Sequence, residues 1–339
     1  MKEILRKAAE RFDKNKCKVC PVCNGAVCGG LLPGMGGIGS GASFQNNIKA
    51  LADKKLAMKV LHNANNPNCE LEIFGRKISF PFMIAPIGDV TMNVGGHLTI
   101  TQYTSIIIKA CVELGTFASI GDLPKVEPFE SAVNTIQGRG KNVIPFIKTW
   151  LDDEFMKKLE ITAKAGCDIC GSDVDSAGLP GLRNCPTPVT LWDGKKLSEM
   201  VKKVHSFGMK YIIKGIMSVK DAEIAAGAGA DAIVVSNHGG RVLDYTPGSA
   251  EVLPSIAEAV GKDLIVMADG GVRTGADVLK MLALGAKLVL ICRPAAIAAH
   301  GDEENGLQKY FTIIKNDLLH CMRMTNCSDL QSVNKNILC

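Results

Sequence analysis

From residue 79 onward, short and almost wholly apolar runs rich in valine and isoleucine alternate with longer stretches in which apolar positions recur every three or four residues. The short runs are Phe82–Gly88, Thr116–Ile120, Val143–Ile147, Cys167–Val174, Tyr211–Lys214, Ala232–Val235, Leu264–Ala268 and Leu288–Ile291. Runs without a polar face read as strands buried on both sides, as in a parallel sheet. The amphipathic stretches at 98–114, through the 130s, and at 152–165, 195–207, 218–228, 249–260 and 274–284 read as helices, with a further helix after residue 291 and a C-terminal one near 303–324. Eight strand–helix units in about 220 residues predict an α/β fold, a closed (β/α)8 TIM barrel.

The segment 1–78 breaks this rhythm. It predicts a helix over 1–16, a cysteine-rich and then a glycine-rich loop, a helix over 44–62 and a small hairpin at Leu71–Ile78. The expected organisation is an N-terminal extension over 1–78 and a barrel with its C-terminal helix over 79–339.

Composition narrows the function. Hydrophobic residues make up 47% of 339, aromatics only 5%, and the 35 glycines suit tight α/β packing. The net charge of +5 is small and the lysines are scattered along helices, which argues against a nucleic-acid partner. No apolar run reaches the roughly 20 residues of a membrane span. The charged start Met1–Arg6 is unlike a secretory signal, so the expectation is a cytoplasmic protein whose 13 cysteines are thiols or metal ligands.

In barrels of this type, chemistry sits at the carboxyl ends of the strands. Here those ends carry Lys148, Asp173, Asp175, Lys214, His238, Arg241, Asp269, Arg273 and Arg293. So much charge in one ring points to a site. In Ser236-Asn237-His238-Gly239-Gly240-Arg241, the histidine can exchange a proton near neutral pH and the arginine can grip a carboxylate with two parallel hydrogen bonds. Asp269-Gly270-Gly271-Val272-Arg273 and Cys292-Arg293-Pro294 follow the last two strands, where such barrels commonly bind phosphate. The alternative for Arg273 and Arg293 is pairing with carboxylates at the barrel mouth.

Two N-terminal motifs stand apart. Cys17, Cys20, Cys23 and Cys28 suit tetrahedral zinc or an iron–sulfur cluster, or are four reduced thiols in a turn-rich cap. Gly34-Met35-Gly36-Gly37-Ile38-Gly39 satisfies G-x-G-x-x-G but follows no strand, so it predicts a loop folded over an active site rather than a dinucleotide fold.

The motifs Lys214-Gly215, Ser236–Arg241, Asp269–Arg273 and Arg293-Pro294 together resemble the FMN-dependent 2-hydroxy-acid oxidases and dehydrogenases (the glycolate oxidase and lactate oxidase kind), over roughly residues 80–330. The resemblance implies bound FMN and oxidation of a small, lactate-like L-2-hydroxy acid to its 2-oxo acid. It makes His238 the base, Asp175 the carboxylate that orients it, and Lys214 the cation beside the flavin. Arg241 becomes the carboxylate clamp and Arg183 the second arginine of that clamp. Asp269, Gly270, Gly271, Arg273 and Arg293 become ribityl and phosphate contacts. Pro86, Ile87 and Gly88 lie against the ring, and Gly121, Asp173, Ser236 and Cys292 complete the cofactor contacts.

The chain also departs from that family. Lys148 replaces a substrate-binding tyrosine, Asp173 replaces a threonine, Gly121-Asp122 replaces an aromatic, and the cysteine-rich front is foreign to it. Lys148 could bind a larger or more acidic substrate, tune the flavin, or pair with Asp173. The cysteines suggest a dehydrogenase rather than an O2-reducing oxidase. An FMN-dependent isomerase, of the type 2 isopentenyl diphosphate isomerase kind, and a non-catalytic flavin- or metal-binding regulator are the competing readings. By the resemblance, the protein is expected to form a homo-oligomer, a tetramer.

Overall fold

The computed structural model describes residues 1–183 and 185–339. The extension begins with α1 (Lys2–Arg11) and α2 (Ala42–Asp53), and ends in a hairpin of β1 (Leu71–Ile73) and β2 (Arg76–Ile78). The eight barrel strands follow: β3 (Phe82–Ile84), β4 (Ala118–Gly121), β5 (Val143–Phe146), β6 (Ile169–Asp173), β7 (Lys210–Ile216), β8 (Ala232–Val235), β9 (Ile265–Ala268) and β10 (Leu288–Ile291). Every pair of neighbours is parallel, in the order β3-β10-β9-β8-β7-β6-β5-β4. This is the predicted (β/α)8 barrel.

Side-chain hydroxyls stitch the seam between β3 and β4. Thr116 Oγ1 donates to the Phe82 carbonyl and Ser119 Oγ to that of Ile84, both at 2.7 Å. Strand alternation produces two apolar regions. Met83, Phe146, Ile212, Val234, Met267 and Leu290 point into the barrel, whereas Phe82, Ile84, Ile213, Val235 and Ile291 face the helices. The hairpin plugs the amino-terminal end. Its turn residues Phe74 and Gly75 both have positive φ, 53° and 72°. A two-residue type I′ turn requires positive φ at both positions. The Phe74 ring packs edge-on to Phe117 at 6.2 Å. With that end closed, the open end is the one where the charged ring lies.

Two predicted helix boundaries are corrected. The first helix stops at Arg11, because the Asp13 N–H turns away to the carbonyl of Gly95. The helix expected over 44–62 stops at Asp53. Beyond it the chain is extended and pairs with the C-terminus: Ala57 N–H donates to Ile337 O and Cys339 N–H to Lys55 O. The final helix begins at Arg293 and breaks at Asp302 and Glu303, where φ and ψ leave the helical region, before continuing to Met324. A short helix, α3 (Val90–Asn93), follows β3 and was not predicted. Among the described residues, no helix is long and apolar enough to cross a membrane.

Candidate active site

β8 ends at Val235, and the chain then turns through Ser236, Asn237 and His238. His238 has a φ of 55°. That left-handed conformation is costly for a residue with a Cβ and persists only when its surroundings enforce it. The Ser236 hydroxyl accepts the His238 N–H at 3.1 Å, and the Asn237 amide is held by Asn47, Thr246 and the Pro247 carbonyl. Asp175, just past β6, holds the ring: its two oxygens lie 3.0 and 3.2 Å from His238 Nδ1. That contact places the neutral ring's proton on Nδ1 and leaves Nε2 free. Asp175 reaches this position because β7 shifts register after Lys214 and carries glycine there. A Cβ at Gly215 would sit 2.6 Å from the Asp175 carboxyl carbon.

Lys214 is buried between two carboxylates, 3.0 Å from Asp173 and 3.9 Å from Asp269. Burial opposes ionisation of Asp173, but Lys214, His238 and Lys148 outweigh it and hold the carboxyl at about 2. Burial likewise opposes the Lys214 charge, and Asp173, Asp269 and Asp175 outweigh it, so the ammonium is stabilised. For Asp269 burial prevails over Lys214, and its carboxyl is pushed up. Its Oδ1 is buried without a hydrogen-bond partner.

These groups border a cavity of about 410 Å3, within the size range of small-molecule sites. Pro86, Ile87, Gly88, Lys148, Asp173, Lys214, His238, Arg241, Asp269, Gly270, Gly271, Arg273, Cys292 and Arg293, all singled out from the sequence, line it. Asp175, Ser236 and Gly121 stand behind the lining: the first two hold His238, and Gly121 packs on Ile87 and Gly88. Arg183 is exposed and does not line the cavity.

The glycine-rich loop folds over the mouth, contributing Leu32, Pro33 and Met35 to the lining. The Gly34 and Gly36 carbonyls accept from Arg241, whose other terminal nitrogen donates to Asn93 at 2.7 Å. Burial and the nearby Arg293 bring the Arg241 guanidinium down to about 10, still cationic at neutral pH. Arg293 stacks on Phe44 at 3.9 Å and donates to the carbonyls of Met35, Gly36 and Gly239, while Arg273 donates to the carbonyl and sulfur of Cys23. Both arginines are therefore held by backbone carbonyls of the loops rather than by mouth carboxylates.

Lys148 does not pair with Asp173. Its Nζ donates to the Asp122 carbonyl at 2.6 Å, and its N–H to the Asp122 carboxylate at 2.8 Å. Asp122 also meets the fully buried Lys158 at 2.8 Å and the Trp150 indole. Sequence reasoning missed Lys158 and Asn93, each of which lies inside a helix with nothing local to mark it. The four N-terminal cysteines surround a separate small cavity, and no three of their sulfurs come within 4.8 Å of one another. Among the described residues the one set that close is Asp173, Asp175 and His238, where the lysine of the buried pair already supplies the cation.

Known proteins are similar to this chain in sequence and fold. A 2-hydroxyacid oxidase of Dictyostelium discoideum is 28% identical over 331 residues, 87% of this chain and 82% of that protein. An L-lactate dehydrogenase of Caulobacter vibrioides (strain NA1000 / CB15N) is 49% identical over 127 residues, 38% of this chain, and that match spans only 33% of the relative's length. The solved structure of mandelate oxidase with (S)-2-phenylpropionate superposes with a TM-score of 0.76 at 25% identity, covering 100% of this chain and 97% of that one. The sequence profile of the FMN-dependent dehydrogenases matches residues 34–184 and 184–339, and with the barrel and its ring of charged strand ends this establishes that the chain belongs to the FMN-dependent dehydrogenase family.

Proposed function

We propose that the protein binds FMN and oxidises a small L-2-hydroxy acid to the corresponding 2-oxo acid, with His238 as the base and Arg241 as the carboxylate clamp. The observation that carries this reading is the Asp175–His238 pair at the cavity, with a half-buried arginine three residues further on. The residues fit the cofactor. The unpartnered Asp269 oxygen suits a ribityl hydroxyl. Gly270 and Gly271 both take positive φ, which a residue without a Cβ adopts at no steric cost, and so bring the backbone to the cavity wall. Arg273 and Arg293 suit the phosphate, and Ala85, Pro86 and Ile87 offer an apolar face to the ring. When bound, FMN supplies the two-electron redox chemistry.

The chain supplies placement and charge. Arg241 orients the substrate carboxylate, so that its hydroxyl-bearing carbon faces His238. The Nε2 of His238 accepts the substrate proton, and the Asp175 carboxylate stabilises the imidazolium that results. Lys214 places a permanent cation where negative charge would gather on a reduced ring. Lys148 puts a second cation on the cavity wall, which favours substrates carrying an additional polar or acidic group.

The test is an anaerobic visible spectrum of the FMN-loaded protein before and after adding a set of L-2-hydroxy acids, including a dicarboxylic one. Bleaching of the flavin band is the expected result, and it should be absent in His238→Ala with FMN still bound. A flavin that no member of the set bleaches would overturn the proposed reaction.

A further inference from the structure

The proposed oxidation makes no use of Cys17, Cys20, Cys23 and Cys28. All four line one small cavity, together with Met35, Phe44 and Arg293. Met35 and Arg293 line the large cavity as well, so a single layer of side chains separates the two. The loop is bent to aim its sulfurs inward: Val19 and Gly25 both take positive φ, and the Val19 N–H donates to Cys17 Sγ at 3.4 Å. Cationic groups face the sulfurs, with Arg273 donating to Cys23 Sγ at 3.4 Å.

The spread of the sulfurs discriminates between centres. A tetrahedral zinc with Zn–S bonds of about 2.3 Å draws its four sulfurs to roughly 3.8 Å from one another. Here no three lie within 4.8 Å of one another. Four thiols placed around a cavity, rather than drawn to one point, suit a polynuclear centre in which inorganic sulfide bridges the irons and the thiolates bind different irons from outside.

We propose that Cys17, Cys20, Cys23 and Cys28 hold an iron–sulfur cluster in this cavity, and that it carries electrons from the flavin site to a one-electron acceptor. The cluster assignment stands on the cysteines alone, whereas the relay rests on the proposed oxidation. Conversion of the 2-hydroxy acid to the 2-oxo acid releases two electrons and two protons. The protons pass to His238 and solvent. The electrons leave one at a time through the cluster, which returns to its oxidised state each time the acceptor takes an electron. The exposed Val22 and Val27, at 72% and 63% accessibility, bring the outer side of the loop to solvent, where an acceptor can reach it.

The full chain, carrying FMN, is reconstituted anaerobically with ferrous iron and sulfide. Iron, acid-labile sulfide and flavin are then quantified, and electron paramagnetic resonance spectra are recorded after dithionite reduction. The expected result is bound iron with matching acid-labile sulfide and a reduced-cluster signal, all lost in Cys20→Ser while flavin is retained. Wild-type protein that holds flavin but no acid-labile sulfide, or that takes up zinc alone, overturns the cluster. The relay is read in wild-type protein reduced by substrate: the cluster signal should appear, and a bleached flavin beside an oxidised cluster overturns it. If no substrate bleaches the flavin, the fault lies with the proposed oxidation, and light-driven flavin reduction then reads the relay by the same signal.

Discussion

At the scale of single residues, the site depends on buried charges whose partners lie on neighbouring strands. Asp173 and Lys214 lie at β6 and β7 positions that pair in register, so their side chains meet at 3.0 Å. Asp173→Asn would leave a buried ammonium with only the more distant carboxylates of Asp269 and Asp175. Removal of one member of a buried pair costs about 3–5 kcal/mol, and chemical denaturation at neutral pH should show a loss of that order. The pair also has an acid signature. The folded pKa of Asp173, about 2, lies below its ordinary 3.8, so its contribution is complete above the ordinary value and is lost as pH falls toward 2. Lys214 is shifted the other way and keeps its charge through the alkaline range. Wild-type stability should therefore fall more steeply below pH 4 than that of Asp173→Asn; parallel acid limbs would exclude this pair as the source. His238, Arg241 and Lys214 were legible because the first two follow a strand and the third lies within one, each in a recognisable short motif. The role of Asp122 was not: its partners Trp150 and Lys158 come from other elements, and nothing near residue 122 signals a fully buried ion pair.

At the scale of elements, two contacts set the geometry of the mouth. The first is the β3–β4 seam, where Ser119 Oγ bonds the Ile84 carbonyl. Ser119→Ala should lower stability by about 1 kcal/mol, the usual net worth of one hydrogen bond, with flavin content unchanged. The second is the anchor of the glycine-rich loop. Asp244 accepts from the N–H and hydroxyl of Ser40, at 2.6 and 2.8 Å. Without it, the loop whose carbonyls hold Arg241 loses a charge-assisted tether. Asp244→Ala should raise KM for the hydroxy acid on the order of tenfold, corresponding to about 1.4 kcal/mol, and steady-state kinetics would detect it. An unchanged KM would separate the loop from substrate binding. The eight strands were readable because an unbroken apolar run has one good home in a parallel sheet. The helix expected over 44–62 failed for the converse reason. Its periodicity suited a helix, but pairing of residues 55–57 with the chain's other end satisfied the backbone instead.

At the scale of the whole molecule, the barrel gathers a cavity from residues as distant in sequence as Met35 and Arg293, and much of its charge faces inward. A cofactor that binds only the folded state stabilises it by mass action. FMN at a hundredfold excess over its Kd should raise unfolding stability by about 2.7 kcal/mol, visible as a concentration-dependent rise in Tm. A Tm indifferent to FMN would contradict the assignment of the cavity. The sequence by itself determined the barrel, the order of its strands along the chain, and which ends carry charge, because hydrophobic periodicity and turn chemistry act over a few neighbouring residues. Only the tertiary structure decided what those charges meet. Lys148 faces the Asp122 carbonyl rather than Asp173, Arg273 and Arg293 reach loop carbonyls, Arg183 stays outside the cavity, and the four cysteines surround a space instead of closing on a point. Each of these depends on distances between segments far apart in the chain, which a local pattern does not encode and which close packing of the folded chain fixes.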